Sequence, residues 1–194
     1  MPRVSIVTPD KVGAGSGAYL SGEKHPIHLH RVQLAAGGKF KIQRQQADCV
    51  LYIWQGAVSA GGAQLTAGSS AIVEAGAELE LTGTTDAVVL SFAACQSASH
   101  GRGGGHVHLL PADRVPRAEE LAGSHGVGGG IHSDGQCPTC QVWLHENHFA
   151  PAQPMPPEQA AKGIHSHSED EVIFITEGAI RLGQKLFPAG TAVA

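Results

Sequence analysis

The chain has 194 residues, of which 42% are hydrophobic, 15% charged and 5% aromatic, and 26 are glycine. That length can bury one large or two small cores, and the composition is too apolar and too weakly charged for a disordered chain. The net charge of -4 and the lack of any Lys/Arg run argue against nucleic acid and anionic membrane surfaces as partners.

The N-terminal stretch MPRVSIVTPDKVGAG holds no apolar core of a secretory signal. No run approaches the roughly 18 apolar residues of a membrane span. Four cysteines, Cys49, Cys95, Cys137 and Cys140, then read as reduced thiols in the cytoplasm.

Residues 4–95 read as short strands between glycine turns. VQLAAGGKFKIQ, DCVLYIWQG, AQLTAGSSAIVEAG and DAVVLSFAAC are apolar or alternating runs of strand length. Tyr52 and Trp54 are core candidates there, as are Trp143 and Phe174 further on. His28/His30 is the first of three His-x-His pairs among 12 histidines, and no carboxylate follows it at a useful spacing. It reads as a pair at a strand end.

Residues 96–136 change character. They are rich in Gly, Ser and His and read as a connection, with a short helix expected at 116–121. His106/His108 follows GRGGG and reads as a strand-leading pair. Cys137-Pro138-Thr139-Cys140 is a lone CxxC. Ordinary turn cysteines before a strand are the simplest reading, beside a zinc knuckle borrowing His132 or a redox pair.

Strand patterns resume in CQVWLHENHFA and EVIFITEGAIRLG, separated by the proline-rich PAQPMPPEQAAKG, which cannot sit inside a sheet. His145, Asn147 and Phe149 share one strand face and His148 lies on the other. His145 and Asn147 either face solvent or turn inward behind a metal or against a substrate.

An internal repeat sets the architecture. A shift of 122 lays residues 43–72 over 165–194 without a gap, with eight identities in 30 pairs. Asp48 meets Asp170, Ile53 meets Ile175, and Gly56, Gly61 and Gly68 meet Gly178, Gly183 and Gly190. One unit of strands is used twice.

Residues 163–178 read GIHSHSEDEVIFITEG: His-x-His, three residues, Glu, six residues, Gly. This resembles the first motif of the cupin superfamily, at every fixed position from His165 to Gly178. The resemblance implies an all-β fold of tandem jelly-roll barrels. It also implies that His165, His167 and Glu171 bind a divalent metal. Two imidazoles and a carboxylate suit Fe, Mn, Ni, Co or Zn, and three protein ligands leave positions open for chemistry.

The family's second motif supplies a fourth ligand. Its first-repeat counterpart lies at Leu79, so the second-repeat position is 201, beyond Ala194. The expectation is therefore an incomplete second barrel. His145 is a weaker substitute for that ligand. In the first repeat the ligand positions hold Gln43, Gln45, Cys49 and Leu79, a barrel without the family's metal ligands.

The expected domains are 1–95 without metal, a connection over 96–136, and a metal-binding barrel over 137–194. The expected function is a metalloenzyme acting on a small molecule, with dioxygenase-type chemistry as the family's common use of such ligands and lyase or isomerase chemistry beside it. A non-enzymatic small-molecule binding or sensor protein is the alternative. Assembly as a homodimer is left open.

Overall fold

The computed structural model describes residues 4–94, 104–117, 128–149 and 170–194. Among them, alternating apolar residues and glycine turns produce antiparallel strands with almost no helix. In chain order these are β1 (Ile6–Val7), the one-turn helix α1 (Pro9–Val12), β2 (Gly17–Leu20), β3 (Ile27–Leu34), β4 (Lys39–Ile42), β5 (Cys49–Gln55), β6 (Ala57–Ala60), β7 (Ala63–Thr66), β8 (Ser70–Val73), β9 (Leu79–Gly83), β10 (Ala87–Ala94) and β11 (Val107–Leu110). A 3-10 turn (Ala112–Arg114) follows, then β12 (Ile131–Ser133), β13 (Leu144–His145), β14 (Ile173–Phe174), β15 (Ala179–Leu182), β16 (Lys185–Pro188) and β17 (Ala192–Val193). No helix among the described residues is long and apolar enough to cross a membrane.

Two sheets make the first repeat: a six-stranded sheet in the order β11-β8-β5-β10-β3-β2 and a four-stranded sheet in the order β4-β9-β6-β7. Side chains alternate between the faces of a strand. Leu51, Ile53, Ala71, Val73 and Val89 of the larger sheet therefore meet Val58, Leu65, Leu79 and Leu81 of the smaller one in a closed core. Burying each such leucine or valine contributes roughly 1.5–3 kcal/mol.

The intervening residues of the larger sheet face the other way, and they too are covered. Tyr52 and Leu90 pack with Ala192, Val172 and Phe174, while Val50 and Ile72 pack with Cys140 and Val142. The second repeat lies on this outer face. That explains why CVLYIW is a continuous apolar run and does not alternate: both faces are buried.

The repeat survives as hydrogen-bond geometry. Leu51 pairs Ala71 and Tyr52 pairs Ser70; 122 residues on, Ile173 pairs Val193 and Phe174 pairs Ala192. The hairpins Ala57–Thr66 and Ala179–Pro188 share one register. Gly68 N–H donates to Ile53 C=O at 2.9 Å, and Gly190 N–H to Ile175 C=O at 2.7 Å. Gly56, Gly61 and Gly68 have positive φ, as do Gly178, Gly183 and Gly190, because these turns need the left-handed region.

The repeats exchange edge strands. β1, ahead of the first repeat, pairs β17 of the second. β11, ahead of the second, pairs β8 of the first at the matching register. Each is followed by one helical turn against the equivalent glycine of the repeat it joins: a Cβ on Gly190 would lie 3.2 Å from Pro9 Cβ, and one on Gly68 3.5 Å from Ala112 Cβ. β12–β13 likewise repeats the irregular pairing of β2–β3, with Ile131↔His145 and Ser133↔Leu144 matching Ala18↔His30 and Leu20↔Leu29. The glycine-rich stretch thus contributes a strand to the six-stranded sheet. The helix expected at 116–121 falls largely outside the described residues.

Candidate functional site

His165 and His167 lie outside the described residues. Glu171 is described and exposed, just ahead of β14. Its counterpart in the first repeat, Cys49, opens β5 with its side chain in the closed core. Burial pushes the Cys49 thiol up, and its Sγ lies 3.5 Å from Ser91 Oγ. Leu79 is buried in the same core, Gln43 is exposed and Gln45 is half-buried. His28 and His30 sit opposite Ala93 and Ser91, with their rings stacked at 6.2 Å between centroids. Burial first, and the neighbouring His28 second, lower the pKa of His30.

Among the described residues, one cluster gathers potential metal ligands: Glu74, His108, Cys137 and Cys140, whose donor atoms all lie within 4.8 Å of one another. Strand alternation builds it. Ala71 and Val73 point into the core, so Ser70, Ile72 and Glu74 point outward. β11 does the same, with Val107 and Leu109 against the core and His106 and His108 outward. Glu74 N–H donates to His106 C=O at 3.0 Å, which carries the β8–β11 pairing one residue further and sets the three side chains together.

Glu74 is fully buried. His108 Nε2 lies 2.7 Å from its Oε1, His106 Nδ1 lies 2.8 Å from its Oε2, and the His106 N–H donates to the same Oε2 at 3.1 Å. The Thr139 hydroxyl donates to Oε1. Burial alone would raise this carboxyl. The donors from Thr139, His108 and His106 outweigh it and hold the pKa down at about 2.

Cys137 and Cys140 form a disulfide across a Cα–Cα distance of 5.4 Å. This corrects the expectation of reduced thiols for that pair, while Cys49 is a free thiol: the tight Cys-Pro-Thr-Cys turn brings both sulfurs together over the sheet. Neighbouring Asp48 helps fix the turn by accepting the Ala75 and Gln141 N–H groups at 2.9 and 2.7 Å.

A second polar group lies on the same outer face. The Tyr52 hydroxyl donates to Glu146 Oε1, and His132 Nδ1 is 2.9 Å from Ser70 Oγ. His132 Nε2 stands 3.8 Å from Glu146 Oε1, an ion-pair distance too long for a hydrogen bond, and His148 Nε2 stands 3.7 Å from Oε2. His132, against the opposing effect of burial, lowers the Glu146 pKa with help from Tyr52 and His148. Burial and the Glu146 carboxylate raise that of Tyr52. A Cβ on Gly130 would meet Val115 at 2.6 Å and Glu146 Oε2 at 3.0 Å, so glycine lets this strand approach.

The two groups border one pocket of about 390 Å³, lined with Ile72, Leu110 and Ile131 and edged by His108, Arg114 and His132. His145 and Asn147 flank Glu146 and are exposed. By its pairing, His145 occupies the place in its sheet that His30 holds in the first. Sequence reasoning missed Glu74, Tyr52 and Glu146 as polar partners. The alternation in His-Val-His-Leu at 106–109 was the available signal for the histidines.

No family model and no curated protein matches the chain. Solved structures do. A candidate glyoxylate induced protein of Pseudomonas aeruginosa has a TM-score of 0.71 at 16% identity, over 98% of this chain and 79% of that one. Ylba from E. coli, of the DUF861 family, has a TM-score of 0.61 at 15% identity, over 98% and 81%. The bacterial pirin YhhW from Escherichia coli, solved with nickel(II), has a TM-score of 0.52 at 10% identity, over 98% and 89%. The chain has a cupin-type β fold.

Proposed function

We propose that the chain is a metal-dependent cupin protein acting on a small molecule. It is built from two barrels, centred on residues 1–95 and 137–194, and the joining stretch 96–136 lends β11 to the first and β12 to the second. In this reading His165, His167 and Glu171 hold one divalent transition metal. The observation that carries the reading is the shared register of the repeats. Cys49 points into the core at the start of β5, and its counterpart Glu171 is preceded by the His-x-His that the first barrel lacks.

Two imidazoles and a carboxylate are a sound donor set for Fe, Mn, Ni, Co or Zn. The nickel in the pirin structure supports metal binding by this fold. A bound metal would supply Lewis-acid chemistry or O2 activation at its open positions. Glu171 would lower the net charge of the centre, and His145 and Asn147 would orient ligands or substrate. Dioxygenase-type turnover, the cupin family's common use of such a donor set, is the first activity to test, with lyase or isomerase chemistry beside it.

The test is metal-dependent turnover of small-molecule substrates by the purified protein. Chelation should abolish activity and metal should restore it, while His167→Ala and Glu171→Ala should be inactive. Unchanged activity in both variants overturns the site. Non-enzymatic binding is the second reading. It is favoured by the 390 Å³ pocket, a size suited to a metabolite, with cationic Arg114 at its edge. Saturable ligand binding without turnover would select it.

A further inference from the structure

We propose that Glu74, His108, Cys137 and Cys140 form a zinc site, assembled when the Cys137–Cys140 disulfide is reduced, that clamps the outer edge of the first repeat to the segment entering β13. It shares no ligand with His165, His167 and Glu171.

Three observations carry it. The four donor atoms already lie within 4.8 Å of one another, and they come from three separate parts of the chain. Glu74 is a fully buried carboxylate whose ion-pair partners are only the two histidines; no Lys or Arg among the described residues pairs with it. Its charge is met by hydrogen-bond donors, the two histidines and the Thr139 hydroxyl, with no described Lys or Arg beside it, and a bound cation would neutralise it. Finally, the Cys140 N–H points at Cys137 Sγ at 3.2 Å, a backbone donor that stabilises a sulfur carrying negative charge.

The ligand chemistry selects the metal. Two thiolates, an imidazole and a carboxylate are the donors of a closed tetrahedral zinc centre, and thiolates disfavour Mg2+, Ca2+ and Mn2+. His106, on the other oxygen of Glu74, holds that carboxylate in orientation.

The redox step balances. A dithiol reductant gives two electrons and two protons, the S–S bond breaks, and the reductant becomes a disulfide. This leaves two thiols beside Glu74. Zn2+ binds both as thiolates, and the two thiol protons leave to solvent. A disulfide oxidant reverses the sequence: it takes two electrons from the two thiolates, the Cys137–Cys140 S–S bond re-forms, the oxidant becomes a dithiol with two protons from solvent, and Zn2+ is released.

The experiment is an anaerobic Co2+ titration of the full chain, before and after reduction with a phosphine that is then removed. Reduced protein should gain a sulfur-to-cobalt charge-transfer band that saturates at one Co2+ per chain and is displaced by Zn2+. Oxidised protein and Cys137→Ser should lack the band, and Glu74→Gln should weaken binding at least about tenfold. The band should persist in the His165→Ala/His167→Ala double variant, which separates this site from the proposed cupin centre. Should Cys137→Ser fail to fold, alkylation of the reduced wild type decides: Zn2+ should protect Cys137 and Cys140 and leave Cys95 unprotected. A reduced protein with no band, a band retained in Cys137→Ser, or no protection of the pair overturns the proposal.

Discussion

The Trp54 indole N–H donates to the Thr176 carbonyl at 2.9 Å, and Thr176 stands 122 residues on, at Trp54's own place in the second repeat. The two repeats touch at equivalent positions, as partners about a two-fold axis do. The Trp54 ring also meets Phe174 edge-on at 5.0 Å, and Phe174 meets Tyr19 the same way at 5.3 Å. Trp54→Phe should lose the hydrogen bond at a cost of about 1 kcal/mol. Trp54→Ala should lose the ring contacts as well and cost about 3 kcal/mol. Urea unfolding reads both; two neutral variants would mean the repeats do not pack through this contact.

Glu74 gives the fold a pH dependence. Its folded pKa of about 2 lies below the ordinary 4.5, so it is a depressed carboxylate. Such a group stabilises the fold above the unfolded pKa, and the stabilisation fades as pH falls from 4.5 toward 2. The whole effect is on the order of 3 kcal/mol. Wild type should lose that much more stability than Glu74→Gln between pH 5 and pH 2, followed by denaturant midpoint. Parallel curves would contradict the assignment.

Matching glycines should respond differently. Gly56 has φ +73° and a Cβ there would sit 2.0 Å from the Asp86 carbonyl oxygen; Gly178 has φ +69° with nothing within 4 Å. Gly178→Ala should cost only the left-handed strain, about 1 kcal/mol. Gly56→Ala should cost about 3 kcal/mol or more, because backbone must move. Equal melting-temperature losses would show that the two turns sit in equivalent surroundings.

The first core should be sensitive to truncation. Leu51 is completely buried between the two sheets. Leu51→Ala should destabilise by about 2–5 kcal/mol through lost transfer energy and the cavity left behind. Thermal unfolding measures it, and a loss under about 1 kcal/mol would indicate a core that collapses around the gap.

The strands and turns were legible because their causes are local. Alternation over VQLAAGGKFKIQ and the glycines at 56, 61 and 68 specify pleat and turn within a few residues. The 122-residue repeat made the second set of strands predictable from the first. The edge exchange was not legible, since nothing in the few residues of β1 says that they pair with residues 192–193. The Glu74 cluster was hidden for the same reason. Its other members lie 32 to 66 positions beyond Glu74, and His106 and His108 lie in a stretch whose composition reads as a connection. Only the fold brings them to one carboxylate. The face assignment at 145–147 needed the sheet as well: Glu146, between the two residues the sequence singled out, is the one turned toward Tyr52.

The most direct test of the proposed metal centre is metal content by plasma mass spectrometry. It should be made on oxidised protein, in which the Cys137–Cys140 disulfide keeps the thiolates out of play. Wild type is predicted to carry close to one Fe, Mn, Ni, Co or Zn per chain, and the His165→Ala/His167→Ala variant close to none. Equal metal in both proteins, or none in wild type after reconstitution, would contradict the account.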